Sequence, residues 1–459
     1  MQGGWNEWRK EWELRPLVLA AIAFAVGQSA AVSAWHLVLL LPLLWLASGL
    51  PTRGILLAVA GLGVWMQPPL PQEDWFPDTT LQGTGQVVAI PWRTSSGAAT
   101  VVEIGGHRWR WRLESPTQVG LGDRWQIAGV GVPLREGQTP IRGIRGQLEL
   151  ESATLISSGS GFWRAGQAVG ESFYAFIGRF STGVEPFVRA VTLNETSGMT
   201  PEDWTDFREA GVIHVVSASG LHVGILAAAV WLALGFTPID RRYRLLILLL
   251  LVGVYAAAAG LRPPMIRAWI MAAFLGGAYF FRRDADGLSA LAGASLLILL
   301  LDPPALWDIG FALSVVSLAA LIMFGPSYRP GWPFNLGRWL KDAAQTSAVA
   351  LLATVPLVSQ VFGEVSLLGF IANIVVVPLA GIVVVFSLLA WLMSLVWAGL
   401  GVGIYFLVVA PVAQFTIWLM GIIADFPGGG VPIPAFSAYW CLPFLIGAML
   451  IWRSRRDPA

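Results

Sequence analysis

The 459-residue chain is 56% apolar and only 12% charged, with a mean hydropathy of +0.66. A soluble domain needs about a quarter of its residues charged to cover its surface, so the composition excludes one and indicates a polytopic α-helical membrane protein. The net charge of +1 leaves no global field for nucleic acid, and the lone Cys441 excludes a disulfide framework or a cysteine-based zinc site. No metal or other cofactor is expected.

Three hydrophobic runs open the chain, at about 16–34, 36–50 and 54–67. The first has a basic flank (Arg9, Lys10, Arg15) and small residues from Ala31 to Ala34, as a signal peptide does. Further spans follow closely, so it reads as an uncleaved helix and residues 1–67 as N-terminal transmembrane helices. From 68 to 161 Gly, Pro, Thr and charges return, with short alternating runs such as "GQVVAI", "ATVVEIGG", "HRWRWRLE" and "RWQIAGVGV". Period-2 alternation bounded by Gly and Pro marks strands. About five of them suit a small OB-like barrel outside the membrane, with a sandwich fragment as the alternative. In "HRWRWRLE" the alternation puts Arg108, Arg110 and Arg112 on one face and Trp109 and Trp111 on the other. Residues 92–148 carry eight arginines against four acids. Cations with aromatics are what single-stranded DNA binding uses, and tryptophan as core with arginine outward is the consistent assignment. The competing explanation is a solvated basic face.

Residues 162–210 turn helical and amphipathic. "FWRAGQAVGESFYAFIGRF" carries Arg164, Glu171 and Arg179, too many charges to span, and is expected at the interface. In "TPEDWTDFREAG" Thr200 is a helix cap, with Pro201 at the first position and Asp203 at the third. The core, 211–452, then carries spans near 212–236, 245–261, 265–281, 287–301, 309–325, 343–362, 366–397, 399–424 and 438–452. The 366–397 element is one long or broken span: Pro378 is expected to split it, and a half-helix or re-entrant piece would fit its length. Residues 365–424 contain no charge at all. With three initial spans this makes about twelve, and basic loop clusters such as Arg241/Arg242/Arg244 and the tail 453–459 put those ends in the cytoplasm.

The run "HVVSASGLHVG", His214 to Gly224, opens an apolar segment with unusually many small and hydrogen-bonding residues. Ser217 or Ser219 with His214 or His222 suggests a hydrolase, but no carboxylate lies between Gly211 and Ile239 and the G-x-S-x-G elbow is missing. A two-histidine metal site is disfavoured, because eight residues rotate about 80° beyond two helical turns. Close helix packing through small residues is the plain alternative. The preferred reading is a broken or tightly packed segment, which Gly220 and Gly224 permit, with His214, Ser217, Ser219, Gly220 and His222 lining a polar path.

Four ordered blocks resemble the ComEC competence proteins, which conduct single-stranded DNA into transformable bacteria. They are "FREAGVIHVVSASGLHVGIL" (207–226), "GLRPPMIRAWIM" (260–271), "LLDPPALWDIGFALSVVSLAAL" (300–321) and "ATVPLVSQVFGEVSLLGFIANIVVVPLAG" (353–381). One departure is "LNET" (193–196) where the family runs Leu-Gly-Asp-Arg. Many members also carry a metallo-β-lactamase-like nuclease domain, which needs a His-x-His-x-Asp-His cluster. With histidines only at His36, His107, His214 and His222, this chain is expected to lack it.

Charged residues in the core complete the candidates. Arg262 and Arg267 flank "PPMI", and an ionisable group at depth is a functional hypothesis by default, with snorkelling the alternative for Arg262. Asp302 and Asp308 bracket a loop, where helix capping is the plain role. Asp308 is also a candidate partner for Arg267, and Asn373 for exposed carbonyls. The resemblance implies a non-enzymatic channel for single-stranded DNA in the bacterial inner membrane. Its expected partners are the bilayer, DNA and other competence proteins, including a separately encoded nuclease; the oligomeric state is not legible. An ion- or proton-coupled transporter has similar polar residues at depth, and an intramembrane serine hydrolase is the third class.

Overall fold

The computed structural model describes residues 79–159 and 161–426 with short breaks (89–91, 95–96, 114–118, 121, 133–143, 217–219, 262, 281–285, 302–304, 307, 327–334, 363 and 367), the pair 431–432, and helical residues between 18 and 25. The rest of the three N-terminal runs, the 438–452 span, the basic tail, Ser217, Ser219, Arg262 and Asp302 lie outside the described residues. Two compact units are formed, one from 1–70, 270–374 and 430–459, the other from 71–269 and 375–429.

The second unit begins with the barrel. Its strands are β1 (Thr79–Val87), β2 (Trp92–Thr94), β3 (Gly97–Ile104), β4 (His107–Leu113), β5 (Arg124–Val132) and β6 (Ile144–Ser157). The order β1-β5-β6-β4-β3 closes through a β1–β3 pairing, so five strands form a barrel and β2 extends β3 at the edge. All pairs are antiparallel except β4–β6, which is parallel. Closure removes the sheet edges that a sandwich fragment would expose. Gly105 and Gly106, at φ +60° and +78°, make the two-residue turn from β3 to β4, where both positions need the left-handed region. Inside, Val102, Ile104, Trp109, Trp111, Ile127 and Leu148 form one core.

Gly131 of β5 lies directly beneath the Trp109 ring, so that a methyl there would overlap it. Overpacking of a closed core costs about 1–3 kcal/mol. Gly131→Ala should therefore lower the urea midpoint for cleavage within the barrel in pulse proteolysis of the full-length protein. An unchanged midpoint would mean that the Trp109 pocket yields freely.

The helices of this unit are α1 (Gly161–Ile177), α2 (Glu185–Leu193), α3 (Pro201–Glu209), α4 (Ile213–Val216), α5 (Gly220–Gly235), α6 (Arg241–Ala258) and the first turns of α7 (Pro263–Phe280). α3 starts as its residues dictate: Thr200 and Asp203 form a reciprocal capping box with Pro201 at the first position. α1 packs on α6 through Gly166 and Gly170, whose bare backbones meet Ala257 and Ala258, the small-residue contact by which apolar helices approach closely. Trp269 of α7 lies over Gly253 and donates its indole N–H to Leu249 O at 2.8 Å. Tyr255 donates to Thr192 O at 2.8 Å, which ties α6 to α2.

The first unit holds the rest of α7, α8 (Gly287–Leu301), α9 (Ile309–Phe324), α10 (Leu336–Phe362) and the start of α11 (Leu368–Val396). Phe274 fills the space over Gly293, and Phe24 packs with Leu299 and Phe311. Residues 375–429 return to the second unit with the remainder of α11, then α12 (Ala398–Ile404), a π-helical turn (Tyr405–Val409) and α13 (Ala410–Ala424).

α11 corrects one expectation. Pro378 lies inside a continuous helix of 29 residues and does not split it. Proline removes a single intrahelical hydrogen bond, and the apolar flanks, with Val376, Ala380, Val383 and Val384 buried, keep the helix the favoured state. By length and composition, Leu368–Val396 (mean hydropathy 2.7) and Ala398–Ala424 (2.1) are each able to cross a bilayer. Four shorter apolar helices, Gly220–Gly235, Pro264–Gly277, Gly287–Leu301 and Ile309–Phe324, coincide with further expected spans.

Candidate functional site

The candidate site is built where α5 meets α7. Gly220 opens α5, and a side chain there would first touch Pro264 O at 3.5 Å and Ala268 Cβ at 3.6 Å. The first turns of the two helices are thus in contact, and a methyl at Gly220 would make ordinary van der Waals contact with α7. On this joint the chain buries two of its most polar core groups: His222 is 1% exposed and Arg267 3%. Met265, between the prolines and Arg267, is fully buried as well. Such groups are retained at depth only where something compensates them. His214, on the short α4, is exposed.

Other candidates fall elsewhere. Asp308 is exposed and caps α9, accepting Phe311 N at 2.7 Å; capping is the role this geometry gives it. Asn373 is half-buried within α11 rather than at a break, and its Oδ1 has no hydrogen-bond partner among the described residues. Among the described residues no group of three His, Cys, Asp or Glu side chains is placed to hold a metal ion.

In the barrel the β4 alternation is visible in three dimensions. Trp109 and Trp111 are 3% and 4% exposed in the core, which removes both from any surface that could stack on a base. The arginines face outward but are not equivalent. Arg108 is exposed beside Glu103, with Nε to Oε2 at 3.5 Å. Arg110 is half-buried opposite Val101, and burial, together with the charge of Arg112, lowers it below the ordinary guanidinium value. Arg112, opposite Ala99, is exposed.

Sequence reasoning missed two ion pairs of the second unit. Arg164 Nη2 reaches the fully buried Asp123 carboxylate at 3.0 Å. Arg189 Nη1 lies 3.7 Å from Glu195, a buried residue of the "LNET" segment that also accepts Ser197 N at 3.0 Å. Asn194 of that segment takes the left-handed φ of +60° that ends α2, a conformation asparagine tolerates. The signal for Asp123 was its placement among glycines in "GLGD"; nothing local marked Arg164 as its partner.

A profile described as Competence protein matches residues 191–458, more than half of the chain. The chain belongs to the competence protein family. All four blocks that suggested ComEC lie inside the match, as do α5, α7, His222 and Arg267. Competence protein ComA of Neisseria gonorrhoeae is 29% identical over 385 residues, covering 76% of this chain and 53% of that one. ComE operon protein 3 of Bacillus subtilis is 26% identical over 198 residues, 43% of this chain and 24% of that one. The uncharacterized protein YcaI of Escherichia coli is 26% identical over 235 residues, 47% and 30% respectively. This competence protein thus spans about half, or less, of the length of these curated relatives. No solved structure matches it.

Proposed function

We propose that this competence protein is a multi-pass conduit, with about twelve spans in the bacterial cytoplasmic membrane, that conducts single-stranded DNA inward during transformation. The observation that carries the reading is the burial of His222 and Arg267 where α5 and α7 abut, within the stretch that the family profile matches. A DNA backbone is uniformly anionic, so a charge at that joint guides it without reading sequence. Both groups are inaccessible here, so conduction requires the first turns of α5 and α7 to part. The barrel, on the outer side, collects strands on its arginine face. Other competence proteins are its partners, and the chain itself works as a channel rather than as an enzyme.

The test uses a transformable host lacking its own family member, fed labelled DNA. Expression of this chain should restore protected cytoplasmic label, while cells without it bind DNA only at the surface. Equal uptake with and without the chain rejects the conduit. A fluorophosphonate probe should leave the purified protein unlabelled; modification of Ser217 or Ser219 would instead establish a hydrolase.

A further inference from the structure

The barrel is joined to the helices of its own unit by more than chain connectivity. Asp123, just before β5, has a fully buried side chain. Its Oδ2 accepts Gly120 N at 2.7 Å and its Oδ1 accepts Gly159 N at 2.6 Å. Arg164 of α1 donates to both oxygens at 3.0 Å. Close along α1, Gln167 Nε2 donates at 3.3 Å to the carbonyl of Val119, which belongs to the barrel core. A buried carboxylate with this many donors is held in one geometry, because every alternative leaves a charge or an N–H without a partner.

α1 is seated just as firmly at its other contacts. Gly166 and Gly170 bring its backbone onto Ala257 and Ala258 of α6. Ser172 Oγ accepts the Trp391 indole N–H of α11 at 3.2 Å, and Phe173 packs edge-on against the same Trp391 ring. Hydrogen bonds and close packing therefore run without interruption from the barrel core through α1 to α6 and α11. A domain on a flexible tether needs none of them.

We infer that the barrel is docked rather than tethered, and that Asp123 and Arg164 are positioning residues that fix the Arg108–Arg110–Arg112 face relative to α6 and α11. The mechanical half of this stands on the contacts alone; the half that links barrel pose to DNA uptake rests on the conduit reading. Arg164 is the residue to change, since its side chain is 44% exposed whereas that of Asp123 is fully buried.

The experiment is a double electron–electron resonance measurement on the full-length protein in lipid nanodiscs, in a Cys441→Ser background. Spin labels replace Gln82, exposed on β1, and Leu250, 58% exposed on α6. One narrow distance distribution is expected for the parent. Arg164→Ala should broaden it and Arg164→Lys, which keeps a cation, should largely restore it. Amide exchange in residues 119–124 should rise about tenfold or more in Arg164→Ala, the factor implied by loss of a charge-assisted hydrogen bond. If Arg164→Ala fails to accumulate, Gln167→Ala, which loses only the neutral bond to Val119, supplies a milder broadening. A broad distribution in the parent overturns the docked barrel, and a narrow parent distribution that broadens in neither variant overturns Asp123 and Arg164 as the residues that hold it. Broadening with normal uptake overturns the positioning role alone. Failure of the conduit reading appears differently, as equal uptake with and without the chain.

Discussion

Arg267→Gln is expected to cut DNA uptake by roughly 30-fold or more while the protein stays in the membrane at near wild-type abundance. Truncating a charged group in a buried contact costs about 2–5 kcal/mol, and glutamine keeps a polar side chain of similar reach, so the charge is what is lost. The residue is 3% exposed in the first turns of an otherwise apolar helix. If its charge serves only the fold, the pattern reverses: abundance falls, and whatever protein remains takes up DNA normally. Immunoblots of membranes beside protected-label counts separate the two. His222→Ala should follow Arg267→Gln. Gly220 adds a graded control, because a methyl there makes ordinary contact at 3.5 Å with Pro264 O. Gly220→Ala should conduct and Gly220→Leu should not. Asp308→Asn should change neither readout, since asparagine caps a helix as well as aspartate does. Normal uptake by Arg267→Gln and His222→Ala, each at wild-type abundance, would place the path elsewhere.

Replacing Arg108, Arg110 and Arg112 together with alanine should weaken single-stranded DNA binding and flatten its salt dependence. Each phosphate contact on a single strand adds about 0.7 to the slope of log K against log salt, so three lost contacts remove about 2. The three should contribute unequally. Arg112 is exposed, Arg108 is partly engaged by Glu103 at 3.5 Å, and Arg110 is half-buried. Arg112→Ala alone should therefore account for the largest single share, read by fluorescence anisotropy of a labelled oligothymidine across a salt series. An unchanged slope in the triple variant removes DNA from this face. Trp111→Ala tests the other face of the strand: its indole is in the core, so the loss should appear as lowered barrel stability with the slope intact.

The C-terminal boundary of the barrel domain is set by a contact that no short stretch of the chain displays. Composition puts the end of the strand-rich domain near residue 161, yet Arg164 belongs to the same joint as Asp123. A fragment cut at 161 leaves a buried carboxylate without its guanidinium, which is destabilising; one that keeps Arg164 should fold better. The break expected at Pro378 failed for a related reason. Proline's cost is local and visible in the chain, whereas the burial that outweighs it comes from neighbours of α11 that are distant in sequence.

The amino-acid sequence by itself determined where the long apolar helices run, the strand-rich insertion, the helix cap at Thr200, the inward tryptophans and outward arginines of β4, and the family. Each of these is a short-range or periodic property. Apolar length, alternation at period 2, a cap three residues from its partner and ordered signature blocks are all written within a few tens of residues. Only the tertiary structure decided that β1 closes on β3, that Gly166 and Gly170 seat α1 on α6, that Asp123 is held by Arg164, and that Gly220 brings α5 onto α7 beside a buried His222 and Arg267. Those outcomes depend on which surfaces meet. A glycine or a charge carries no record of its partner until the chain has brought the two together.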